Sequence, residues 1–73
     1  MHIIIVGLGK LGMTMTKQLV TEGHNVTVVD TNNDKLTHAV DAYDVMGICG
    51  NGADYETLEE AGVDKCDIFV AVT

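Results

Sequence analysis

The chain contains no proline, no tryptophan and no arginine, and only one phenylalanine and two cysteines. The absence of arginine matters most for function: four lysines face eleven acids, for a formal net charge of −7. A field of that sign repels a polyphosphate backbone, so nucleic acid is not an expected partner. A bound phosphate would have to be held by backbone N–H groups and a helix end. Cys49 and Cys66 are too few and too far apart for a metal framework, and both read as small buried hydrophobes. His2, His24 and His38 show no metal spacing with each other or with the cysteines, which leaves no metal site in view and makes the histidines structural or solvated. No apolar run nears the roughly 18 residues needed to span a bilayer, so direct membrane insertion is not expected. The apolar start is too short and wrongly flanked for a secretion signal, and the chain reads as cytosolic. Repeats, low-complexity stretches and linkers are also missing.

What remains is a 73-residue chain that is 47% hydrophobic and 21% charged, the balance of a globular domain. At this length folding buries only about 60% of the surface of the unfolded chain. Four short apolar runs read as strands: "HIIIV" from His2, "NVTVV" from Asn25, "VMGIC" from Val45 and "DIFVAV" from Asp67. Three segments of helical spacing lie between them. In the first, Leu11, Met15, Leu19 and Val20 form an inward stripe, and Gly23 follows as C′. The second is capped by Asn32 and faces inward through Leu36, Ala39, Val40 and Tyr43. Asp54 caps the third, Leu58 and Ala61 face inward, and Gly62 ends it. This βαβαβαβ alternation predicts an α/β fold, a Rossmann-like doubly wound parallel sheet in order 3-2-1-4 that is truncated after strand 4. Such domains continue to five or six strands. Residues 1–73 are therefore expected to be the front part of a longer domain whose fourth strand is left with an open edge.

The stretch "VGLGKLG" places Gly7, Gly9 and Gly12 where the first strand passes into the first helix, the one context in which G-x-G-x-x-G has a mechanical meaning. Gly7 permits the tight turn, Gly9 lets a pyrophosphate approach the backbone, and Gly12 lets the helix pack closely on the sheet. The N–H groups of Lys10, Leu11, Gly12 and Met13 then point at an anion. A glycine-rich turn without a ligand is the plainer alternative. Asp30 ends the second strand about 18 residues beyond Gly12, where a carboxylate accepts hydrogen bonds from ribose hydroxyls and repels a 2′-phosphate. Its plainer role would be to cap the following helix, yet Asn32 is the better cap. Thr31 adjoins Asp30 at the same edge. After the third strand, "GNGAD" makes a second turn at that edge, where Asn51 either offers its amide to a base or merely shapes the turn. Lys10 is either a point charge for a phosphate or a solvated lysine. Thr73 either meets the ligand across the switch point or simply ends its strand.

Taken in order, "IIIVGLGKLG", "EGHNVTVVDTN", "GNGAD" and "LEEAGVDKCDIFVAVT" resemble the RCK or KTN type (TrkA-N) nucleotide-binding regulatory domains of bacterial potassium transport, over essentially all 73 residues. The resemblance implies a non-catalytic regulator that binds an adenine nucleotide, NAD(H) or ATP/ADP. It also implies a homo-oligomer, a dimer or ring, in the cytoplasm at the inner face of the membrane, beneath a membrane-embedded potassium transporter subunit. Gly7, Gly9, Gly12 and Asp30 match the family's phosphate and ribose positions. Asn51 stands where an acid is common, and Lys10 where arginine is frequent, which weakens a bidentate phosphate contact. The alternative function is the cofactor half of an NAD-dependent oxidoreductase. That reaction would need a proton-transfer residue, and no motif in these residues positions one.

Overall fold

A computed structural model describes residues 1–72. Strands β1 (His2–Val6), β2 (Asn25–Asp30), β3 (Met46–Cys49) and β4 (Ile68–Ala71) form one parallel sheet in the order β3-β2-β1-β4. Helices α1 (Lys10–Thr21), α2 (Asn33–Ala42) and α3 (Tyr55–Ala61) make the crossovers, and a 3-10 turn at Val63–Lys65 precedes β4. The expected fold and strand order are both present.

The inner strands are apolar on both faces because helices cover both. On one face Ile3, Ile5, Val26 and Val28 pack with Leu36 and Ala39 of α2, and α1 adds Met15, Leu19 and Val20. On the other, Ile4, Val6 and Val29 lie under Ala61 and Leu58 of α3. Two helices therefore cover one face and a single seven-residue helix the other. Each helix ends as its local chemistry dictates. Gly23 (φ 88°) and Gly62 (φ 89°) take the left-handed conformation that closes α1 and α3. The Asn32 side chain accepts from the Asp34 and Lys35 N–H groups, and Asp54 accepts from the Glu56 N–H.

Three expectations about burial fail. Leu11 is 61% exposed, because α1 meets the sheet through Gly12 and Thr16 rather than through a stripe that begins at Leu11. Val40 is 44% exposed; it lies over Gly47 of β3, an outer strand, so its far side has no neighbour. Cys49 is exposed rather than buried, again because β3 is at the sheet's edge, while Cys66 is half-buried and packs against the α3 face. Of the two readings for the histidines, structural or solvated, His2 takes the first: its Nε2 lies 3.0 Å from Thr27 Oγ1 on the neighbouring strand. The fourth strand stops at Ala71, and Thr73 lies outside the described residues.

Candidate functional site

The loop from β1 to α1 begins with Gly7 at φ 100°, a backbone conformation that an L side chain rarely adopts. The Gly7 N–H donates to the Val29 carbonyl at 2.8 Å, which ties the loop's root to β2. Leu8 turns inward and is 2% exposed, so the loop hangs from the core by an apolar anchor. Gly9 is the N-cap of α1, with extended φ −69°, ψ −171°, no side-chain cap and open space where a Cβ would be. Gly12 has the opposite surroundings: a Cβ there would overlap the Gly7 carbonyl and press on Val72. The three glycines thus do three different jobs, a reversed turn, an open approach and a close packing contact.

The first turn of α1 has no acidic side chain, and the N–H groups of Lys10, Leu11 and Gly12 have no acceptor among the described residues. The Met13 N–H does not join them, because it already donates to the Gly9 carbonyl at 2.9 Å and closes the first helical turn. The side chains of Lys10 and Leu11 both lie in solvent, so what these residues offer a ligand at the loop is their backbone N–H groups.

Asp30 stands beside the glycine loop at the carboxyl end of β2. Its Oδ2 accepts the Leu8 N–H at 2.7 Å and its Oδ1 accepts the Asn32 N–H at 2.8 Å. Partial burial works against the charge, yet the N–H groups of Asn32 and Leu8, the ammonium of Lys35 and the N–H of Thr31 outweigh it. Together they hold the carboxyl below its ordinary 3.8. Asp30 is an ionised acceptor.

The "GNGAD" turn closes the other side. Asn51 Oδ1 accepts the Ala53 N–H at 2.9 Å, an Asx turn, while the side-chain nitrogen has no partner among the described residues. Gly50 abuts Thr57 of α3, and a Cβ at Gly52 would overlap Val6. These two glycines were not singled out in the sequence. The alternation Gly-Asn-Gly, which puts two residues without side chains around one turn, was the available signal.

Gly7, Asp30, Thr31, Gly50 and Asn51 line a cleft of about 130 Å³ over the carboxyl ends of the strands. It adjoins a second hollow of about 280 Å³ that runs past Asn51 and Gly52 to Phe69 and Ala71 of β4. The two share Val6, Asn51 and Gly52, and so cross the point between β1 and β4 where strand order reverses. A larger hollow of about 460 Å³ opens at the opposite ends of the strands, around His2, Asn25, Thr27 and Asp44, away from the glycine loop and the free helix amides.

The chain matches the TrkA-N domain family over residues 3–73. It is 40% identical over all 73 residues to a Trk system potassium uptake protein TrkA homolog of Methanothermobacter thermautotrophicus, of which it covers 34%. It is 41% identical over the same length to the Trk system potassium uptake protein TrkA of Vibrio alginolyticus, covering 16% of it. The corresponding protein of Streptomyces coelicolor is 33% identical, with 33% of its length covered. The chain spans about a third or less of the relatives it matches.

Proposed function

The chain belongs to the TrkA-N domain family, and from that premise we propose that it is a regulatory nucleotide-binding module of potassium uptake rather than an enzyme. Residues 1–73 form the amino-terminal part of its nucleotide domain. The ligand is an adenine nucleotide, NAD(H) or ATP/ADP. One observation carries this reading: an ionised carboxylate that lines one cleft together with Gly7 is hydrogen-bonded to the glycine loop, and that loop runs straight into an uncapped helix start with free N–H groups. The Lys10, Leu11 and Gly12 N–H groups receive the phosphates, with Gly9 leaving room for them and Gly7 and Gly12 setting the loop's shape. The lone pairs of Asp30 not used by Leu8 and Asn32 accept the ribose hydroxyls. Thr31 and Asn51 border the adenosine.

In the whole protein, copies of this module assemble into a dimer or ring on the cytoplasmic side of a membrane-embedded potassium transporter subunit. Nucleotides shift transport only insofar as they bind two arrangements of that assembly with different affinity, a coupling typically of about 1–3 kcal/mol. An oxidoreductase is the weaker reading. Asp30, the ionisable group that lines the cleft, has both oxygens engaged and a lowered pKa, which suits a ribose acceptor and not a proton shuttle at neutral pH.

Thermal unfolding with NADH, NAD, ATP, ADP and NADPH tests the assignment. A ligand present at 100 times its Kd stabilises by about 2.7 kcal/mol, and each kcal/mol raises the Tm of so small a domain by roughly 4–8 °C. The nucleotides without a 2′-phosphate should raise Tm, NADPH should do so less, and Asp30→Ala should remove most of the effect. No shift with any adenine nucleotide would sink the assignment.

A further inference from the structure

On the nucleotide-binding reading above, Asp30 touches the ribose. We propose that it is also the positioning residue of the phosphate loop: through the Leu8 N–H it sets the loop so that the amides of Lys10 to Gly12 can hold a phosphate. The loop has few other restraints. Its root is fixed by the Gly7 N–H on Val29, its far end by the Gly12 contact with the Gly7 carbonyl and by the Met13 N–H on Gly9. Leu8 and Gly9 are the loop residues between Gly7 and the start of α1 at Lys10. Leu8 is held by its buried side chain and by one backbone hydrogen bond, from its N–H to Asp30 Oδ2 at 2.7 Å. Gly9 has no side chain, and an added Cβ would meet nothing. The Met13–Gly9 bond is internal to the start of α1, so the Leu8 bond is the polar restraint that ties the loop beyond its root to the end of β2.

The same carboxylate reaches the other way. Its Oδ1 takes the Asn32 N–H, and Asn32 caps α2. One side chain therefore joins the glycine loop to the start of α2, with Leu8 and Asp30 22 positions apart in the chain. An ionised carboxylate has about four acceptor positions, so a ribose can add to the two amides without displacing either.

Charge makes the idea testable, because the two roles of Asp30 act on phosphate with opposite sign. As a bare negative charge beside an anion site, Asp30 opposes phosphate, and its neutralisation should tighten binding. As a loop restraint, it favours phosphate, and its neutralisation should weaken binding. Charge-assisted hydrogen bonds of this length are the stronger kind, so the restraint is expected to prevail.

The experiment compares adenosine with ADP, by calorimetric titration of the intact protein and of Asp30→Asn. Adenosine reports the ribose contact alone and ADP adds the phosphates. The expected result is that ADP loses about tenfold more affinity than adenosine does, the scale of one hydrogen bond to a charged group. Equal losses, or a gain for ADP, would overturn the proposal. Amide hydrogen exchange without ligand is the second arm. The Leu8 amide, which donates to Asp30, should exchange faster in Asp30→Asn while Ile4 and Val28 in the sheet keep their protection, and an unchanged Leu8 amide would also overturn it. Should neither ligand bind the unaltered protein, the function proposed above fails and the exchange arm alone decides the positioning role. Asp30→Ser, smaller and neutral, repeats both arms if the Asn variant does not fold.

Discussion

A methyl group at position 12 would overlap the Gly7 carbonyl, which is backbone and can yield only by moving β1 or α1. Alanine is the better helix former by about 1 kcal/mol, and overpacking costs typically 1–3 kcal/mol. With a backbone oxygen as the obstacle the packing cost wins. Gly12→Ala should lower stability by up to about 2 kcal/mol, seen as a lower urea midpoint at unchanged slope. Asp30 makes a prediction about acid. Its folded pKa lies below the 3.8 of the free side chain, so the ionised form favours folding. That contribution is complete above the unfolded value of about 3.8 and is lost as pH falls through the lower folded value. Melting curves taken from neutral pH into acid should therefore show the gap between the unaltered protein and Asp30→Asn closing below about pH 3.8. A gap that stays constant throughout would contradict the assigned ionisation.

The three helix starts differ in a way that separates folding from function. Asn32 accepts two N–H groups at the start of α2 and Asp54 one at the start of α3, whereas α1 begins at Gly9 with no side-chain cap. The uncapped helix is the one that follows the glycine loop. Asn32→Ala should cost about 1 kcal/mol of stability whether or not nucleotide is present. Gly9→Asp should do the reverse. The backbone at Gly9 is extended, a Cβ has room, and aspartate is a good cap near a helix dipole. Stability should hold or rise by a few tenths of a kcal/mol, while the carboxylate takes the place of the phosphate and the Tm response to ADP disappears. A Gly9→Asp protein that still responds to ADP would move the phosphates elsewhere. The sequence showed these starts and stops well, because caps are local chemistry. It misjudged Leu11, since helical periodicity identifies a stripe but not which turn first meets the sheet. That was decided by the missing side chain of Gly12, which draws α1 in at that point.

Over the whole molecule, coverage is uneven. Phe69 and Ile68 of β4 remain 42% and 41% exposed, and Met46 on the opposite outer strand is 60% exposed. β4 is an outer strand with an apolar surface beside it, a setting that favours association. The net charge of −7 opposes association at low salt. Sedimentation at high concentration should therefore show self-association that strengthens as salt screens the charge, and Phe69→Glu should reduce it. A strictly monomeric species under all salt conditions would count against this surface.

What the sequence determined by itself was everything set by neighbours in the chain. β-branched runs made the strands, caps and left-handed glycines bounded the helices, and the alternation of the two called for parallel crossovers, for which β3-β2-β1-β4 is one of the common orders. It also placed Gly7, Gly9, Gly12 and Asp30 at one edge of the sheet, because strand ends and crossover direction follow from that order. Only the tertiary structure decided which groups touch: Leu8 N–H on Asp30, Gly52 against Val6, Val40 over Gly47, and Cys49 left in solvent on an outer strand. Periodicity carries the face of an element. The distances between faces depend on how closely the elements pack, which no single segment contains.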